Sequence, residues 1–325
     1  MDLIELLKAL LFGIVEGITE WLPVSSTGHM MLLNQFVGLD VSPAFYDVFL
    51  VVIQLGAILA VITTYFRKLN PFAIRKTPAE RKTTWGIWAK IVVGSIPAAI
   101  VGILLDNWFE QHVMNNGKVG YIVVAAALIV YGVVFIVMEA VNRRRIADAQ
   151  APRGRHAACK PGDTECQRIR SFKWTDEKEV EDTSEVISKV RTFDELSLGK
   201  AFAIGVFQSL AIVPGTSRSG SIIIGSMLLG TSRTIATEFA FFLAIPIMAG
   251  WSLLKFVKHG FDYTQGEWAI FGVGIATAFI VSLISIKFLV NFVKRHDFTA
   301  FGVYRIFIGL AVLGYFGILL GGFAQ

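Results

Sequence analysis

"GIVEGITEWLPVSSTGHM", residues 13 to 30, has the apolar density of a membrane-crossing helix, yet it carries Glu16, Glu20 and His29 and is broken at Pro23. A carboxylate at the centre of a membrane helix costs about 2.5 to 3.5 kcal/mol on an insertion scale, so two of them one turn apart require a compensating use. The composition around the stretch is that of an integral membrane protein: 325 residues, 54% hydrophobic and 17% charged, with a mean hydropathy of +0.61. Apolar runs near the ~20 residues of a spanning helix favour a helical bundle over a barrel, which shows alternating segments of about 10 residues. Asp2 and Glu5 stand where a secretory signal carries positive charge, so the N-terminus reads as mature protein. The net charge of +5 sits largely in short basic runs beside apolar segments, which indicates membrane topology and no nucleic-acid partner.

Six runs are long enough to cross: 44 to 66, 86 to 105, 119 to 141, 234 to 257, 268 to 290 and 300 to 321. Two further regions, 3 to 22 with 28 to 38 and 198 to 213 with 219 to 230, are pairs of apolar arms around a proline and a cluster of hydroxyls. Their second arms are about half the ~20 residues a span needs, which predicts re-entrant helical hairpins lined by protein or a water-filled cavity. If each hairpin returns to its own side, the basic groups at 67 to 82, 143 to 145 and 294 to 295 share one face. The positive-inside rule makes that face cytoplasmic and puts both termini outside.

An offset of 191 residues lays Pro23 on Pro214, Ser26 on Ser217 and Asp47 on Glu238. The fold class predicted is therefore an all-α polytopic membrane protein with six transmembrane helices plus two re-entrant hairpins arranged as inverted-topology repeats. It forms one membrane domain over 1–325, with a first repeat at about 1–141, a cytoplasmic insertion at about 142–197 and a second repeat at about 198–325. The insertion, with Cys159, Cys166 and His156, reads as a polar linker carrying at most one short helix. It lacks the four ligands of a zinc site, and a cytoplasmic disulfide is not expected.

Glu16 and Glu20, four apart, share a helix face, and their repulsion points to a shared divalent cation, a shared proton or a facing arginine. Ser26 and His29, three apart, have the spacing of a nucleophile and its base, while Ser25 serves equally as a helix cap. Thr27 adds a hydroxyl to this tip. In the second tip, Ser217, Arg218 and Ser219 at a helix start suit a phosphate. Gln54, Gln208 and Glu238 form a second tier. Arg233 and Glu238 are expected to pair near the base of the second hairpin. Lys90, Lys287 and Arg305 are expected to snorkel from cytoplasmic helix ends and have no chemical role.

"EGITEWLPVSSTGH" and "PGTSRSG" resemble the two signature motifs of the bacterial undecaprenyl-diphosphate phosphatase family, known also for bacitracin resistance. The resemblance covers nearly the whole chain except about 146 to 197, where most relatives are expected to have a shorter loop. It implies hydrolysis of undecaprenyl diphosphate to undecaprenyl phosphate and inorganic phosphate, which recycles the lipid carrier of peptidoglycan synthesis. It also implies a divalent cation, Mg²⁺ or Ca²⁺, a site facing outward across the bacterial inner membrane, and functional roles for Glu16, Glu20, Ser26, His29, Ser217, Arg218 and Ser219. The oligomeric state stays open, a homodimer being one arrangement. The competing reading is a lipid-phosphate flippase or secondary transporter, because broken helices in inverted repeats are a transporter architecture. The type-2 phosphatidic acid phosphatase superfamily fits less well, since no Lys is followed at the proper spacing by Arg-Pro.

Overall fold

Thr77 and Thr264 open two of the longest helices in the same way: each hydroxyl accepts from the backbone N–H three residues on, and Glu80 or Glu267 reaches back to the cap. These capping boxes satisfy N–H groups that the helix itself cannot. Ser42, Ser197 and Ser232 cap three more helices with their hydroxyls. The computed structural model describes residues 3–114, 117–150 and 182–319. In chain order its helices are α1 (Leu3–Thr19), α2 (Ser26–Phe36), α3 (Pro43–Val52), α4 (Gln54–Thr64), α5 (Phe66–Leu69), α6 (Pro78–Phe109), α7 (Gly117–Gln150), α8 (Leu198–Ser209), α9 (Arg218–Leu228), α10 (Arg233–His259), α11 (Gln265–Arg295) and α12 (Thr299–Leu313). Among the described residues there is no strand, only one isolated bridge between Val190 and Thr231.

Six helical segments are long and apolar enough to cross a membrane: Pro43–Thr64, Pro78–Met114, Lys118–Ala149, Arg233–His259, Gln265–Arg295 and Thr299–Gly317. Each overlaps one of the six runs expected from sequence, the first and last ending short of the expected 66 and 321. Several are longer than expected, because capped polar turns extend the helix past the end of the apolar run. The first of them is interrupted at Ile53, between α3 and α4.

The helices pair through close backbone approach. α1 lies along α11 and α8 along α6, while α7 lies along α12. A Cβ built on Gly205 of α8 would stand 2.1 Å from the carbonyl oxygen of Gly94 in α6, so only glycine permits that approach. Gly132 of α7 and Gly302 of α12 face each other likewise, a built Cβ on either lying under 3 Å from the other's carbonyl. Small residues at such crossings are how helices pack where lipid supplies no hydrophobic drive. Phenylalanines fill the centre: Phe239, Phe241 and Phe242 of α10 are buried, and Trp21 meets Phe241 edge-on at 5.1 Å between ring centroids.

The ends of the 142–197 stretch differ from a polar linker. Residues 142–150 continue α7, and from residue 182 onward the chain packs into the protein: Asp182, Ser184, Phe193 and Leu196 are all buried. Asp182 caps a short 3-10 turn, Thr183–Val186, and also accepts from the Thr234 backbone at 2.9 Å. Its apolar and hydrogen-bonding partners are remote in sequence, so composition alone reads as linker. Cys159, Cys166 and His156 lie outside the described residues.

Candidate active site

Two helix-break-helix segments carry the chemistry. In the first, α1 ends at Thr19, residues 20 to 25 turn, and α2 begins at Ser26. In the second, α8 ends at Ser209, a 3-10 turn and a bend follow, and α9 begins at Arg218. The residues just before the two second arms, Ser25 (φ 73°) and Ser217 (φ 69°), are the only non-glycine residues with positive φ among those described. Such conformations cost of order 1–3 kcal/mol and persist where surrounding structure enforces them, often at functional sites. The backbone thus matches Ser25, rather than Ser26, to Ser217. One more residue separates proline from helix in the second segment, which the ungapped offset of 191 does not accommodate.

The two tips meet. The Ser26 hydroxyl donates to Glu20 Oε2 at 2.8 Å, and Arg218 donates from a terminal nitrogen to Glu20 Oε1 at 2.7 Å. The Ser219 hydroxyl reaches the Glu20 carbonyl at 3.3 Å and stands 3.0 Å from that of Ser217, which also caps Gly220 N–H. Glu20 therefore bridges Ser26 of one segment to Arg218 of the other. Glu16, one turn earlier on α1, is 2% exposed, and its Oε1 has no hydrogen-bond partner among the described residues. Ser25 Oγ and both amide atoms of Gln208 are likewise buried without partners. Thr27 is half-buried on the first turn of α2.

Ser26 and His29 are not brought together as nucleophile and base. His29 Nδ1 lies 2.7 Å from the Ser25 carbonyl and Nε2 lies 2.8 Å from the Tyr304 hydroxyl, whose ring stacks on the imidazole. A carbonyl only accepts, so Nδ1 carries the proton, and in the neutral ring Nε2 accepts from Tyr304. Both ring nitrogens are engaged away from Ser26. The i, i+3 spacing puts two side chains on one face but does not fix which neighbours their polar atoms choose.

Three other expectations change. Arg233 and Glu238 do not pair: Arg233 forms two hydrogen bonds to Glu139, at 3.0 and 2.7 Å, and Glu238 takes Lys68 at 2.5 Å. Five positions along one helix turn the side chains about 140° apart, so they face different neighbours. Arg305 does not snorkel: it is 0% exposed, and its guanidinium donates to the carbonyls of Pro23, Gly215 and Thr216. Lys90 donates to the Phe193 carbonyl at 2.6 Å, whereas Lys287 is exposed as expected. Gln54 is half-buried at the α3–α4 interruption, and Asp47 is exposed. Sequence reading missed Tyr304 and misjudged Arg305; the dipeptide lies in a run with no motif around it.

The family model described as "Bacitracin resistance protein BacA" matches residues 9–311. The chain belongs to the BacA family. This BacA-family protein is 46% identical over 321 residues to the "Undecaprenyl-diphosphatase" of Streptococcus thermophilus, covering 98% of the chain and 96% of that protein. It is 44% identical over 318 residues to "Undecaprenyl-diphosphatase 1" of Clostridioides difficile, covering 98% of both. With the "Undecaprenyl-diphosphatase" of Lactiplantibacillus plantarum it shares 42% identity over 320 residues, 98% of the chain and all of that protein. These three match over nearly the full length of both proteins. Family and hydropathy together make the BacA-family chain a multi-pass membrane protein.

Proposed function

We propose that this protein hydrolyses undecaprenyl diphosphate to undecaprenyl phosphate and inorganic phosphate at the junction of the two broken segments. It thereby recycles the lipid carrier of peptidoglycan synthesis and confers bacitracin resistance. The names of its full-length relatives support the reaction. The observation that carries the site is the bridge Ser26–Glu20–Arg218, a hydroxyl, a carboxylate and a guanidinium in one chain of contacts at 2.8 and 2.7 Å.

In this reading the terminal phosphate sits between the tips. The free N–H groups of Arg218, the hydroxyls of Ser25, Thr27, Ser217 and Ser219, and the first N–H groups of α2 and α9 hold its oxygens. Ser26 Oγ attacks phosphorus as its proton passes to Glu20 Oε2. The bond from phosphorus to the bridging oxygen breaks, undecaprenyl phosphate leaves, and water cleaves the phosphoserine. Glu20 takes the base role because it already accepts the Ser26 proton, and His29 orients the tip through Ser25 and Tyr304.

Glu16 and Glu20 suit a divalent cation, Mg²⁺ or Ca²⁺: a buried carboxylate oxygen on Glu16 has no other partner. In this reading one or two carboxylates would hold the cation together with substrate phosphates. Such a cation would neutralise charge developing on the phosphoryl oxygens.

The same reading makes the two segments re-entrant hairpins of inverted repeats within one membrane domain. The exchange-like pairing of α1 with α11 and α8 with α6, and the shared positive φ at Ser25 and Ser217, support it. The charge pattern supports basic loops inside, termini outside and a site open to the outer face of the inner membrane. Phosphate release from undecaprenyl diphosphate by the detergent-purified protein, with and without chelator, tests the proposal. Metal-dependent release lost in Glu20→Ala and Arg218→Ala supports it; no release from folded protein makes it wrong.

A further inference from the structure

Among the described residues Arg305 is the largest charged side chain that is wholly buried, and no carboxylate of those residues pairs with it. It comes from α12, outside both broken segments, yet its guanidinium spans them. One terminal nitrogen donates to the Pro23 carbonyl at 3.1 Å, and the other to Gly215 and Thr216 at 2.8 and 2.9 Å. Those carbonyls lie where proline and the break remove the helix's own partners, so each needs a donor from elsewhere. The plane of the guanidinium packs on Tyr131 of α7, 5.3 Å from the ring centroid, and the Tyr131 hydroxyl accepts from Ser221 of α9. The preceding residue, Tyr304, holds His29. A dipeptide on one helix thus grips both tips.

We propose that Arg305 is the positioning residue that locks the Ser26 tip and the Arg218 tip in one register. It never touches the reacting phosphorus. Its planar fork serves three carbonyls from two different segments simultaneously, which a lysine's single nitrogen reproduces only in part. Its loss lets the tips drift, and small drifts between attacking and phosphate-holding groups act on turnover more than on binding. The inference rests on the phosphatase reading for its kinetic consequence, but not for its structural one.

The test uses full-length Arg305→Gln and Arg305→Lys proteins in detergent, with phosphate-release kinetics and backbone hydrogen exchange read on both. Arg305→Gln is expected to lose about 100-fold or more in kcat with KM within about threefold of the parent, and Arg305→Lys to recover to about tenfold below the parent. Exchange in peptides covering 22–29 and 214–221 should quicken together in Arg305→Gln. A folded Arg305→Gln protein with parental kcat, or with faster exchange in only one tip or neither, overturns the proposal. If Arg305→Gln does not fold, Arg305→Lys decides: slower turnover with both tips exchanging faster supports the role, and parental behaviour in either readout overturns it. If the parent itself releases no phosphate, the phosphatase reading fails, and the exchange result alone decides whether Arg305 locks the tips.

Discussion

Ser26 and Glu20 face each other across the break that separates α1 from α2, the serine hydroxyl donating to the carboxylate at 2.8 Å. Six residues apart, they could not meet on one continuous helix, where that separation turns them about 120° apart and sets them about 9 Å apart along the axis. The turn at 20 to 25, with Pro23 and the left-handed Ser25, brings them together.

Ser26→Ala is expected to lower kcat by about 10³-fold or more, roughly 4 kcal/mol of transition-state stabilisation. Glu20→Gln should come close to it. His29→Asn should cost less, about 10- to 100-fold, because His29 acts through Ser25 and not on the Ser26 proton. Steady-state phosphate release checks all three. A His29 variant as slow as Ser26→Ala, beside a Glu20→Gln variant of near-parental rate, would return the base role to histidine.

Glu20 and Arg218 are 8% and 12% exposed at the side chain and tie the two tips together. Removing one partner of a buried pair leaves the other uncompensated, so Arg218→Met should destabilise the protein by about 3 kcal/mol. The double variant with Glu20→Gln should be less destabilised than the single changes summed. Thermal unfolding in detergent measures the cycle, and additive effects would mean the pair is not coupled.

Gly205→Val fills the α8–α6 crossing, where even a methyl would lie 2.1 Å from the Gly94 carbonyl oxygen. The helices must separate, at a cost of about 1–3 kcal/mol. Gly250→Ala is the control, since nothing lies within 4 Å of its built Cβ. A melting temperature equal in the two variants would contradict the close approach.

Asp297 lies in the turn between α11 and α12. Burial disfavours its charge, but hydrogen bonds from Arg143 and Thr299 outweigh that and hold its carboxyl below the usual aspartate range. The charged form is therefore stabilised by folding. Its contribution is present above the ordinary aspartate pKa and is lost as pH falls through the lower folded value. With Arg143 largely exposed the pair is worth about 0.2–1 kcal/mol. Asp297→Asn should lower the melting temperature slightly at pH 7 and merge with the parent at the acid end; a constant gap at every pH argues against the linkage.

Local chemistry determined much of this protein. Runs of apolar residues dictated six helices long enough to cross a membrane, because hydropathy sums over neighbours in sequence. Prolines beside hydroxyl clusters marked both breaks, since proline removes a donor and clashes with the preceding turn. The carboxylates and the arginine were legible as site residues because charge in an apolar run is costly wherever it points. Tertiary structure alone decided who meets whom. Glu20, not His29, faces Ser26; Lys68, not Arg233, takes Glu238; and Arg305 turns inward to the tips instead of outward to water. Each choice depends on the azimuth of a helix against neighbours dozens to hundreds of residues away, and a one-dimensional pattern fixes a helix's periodicity but not the identity of what lies across its face.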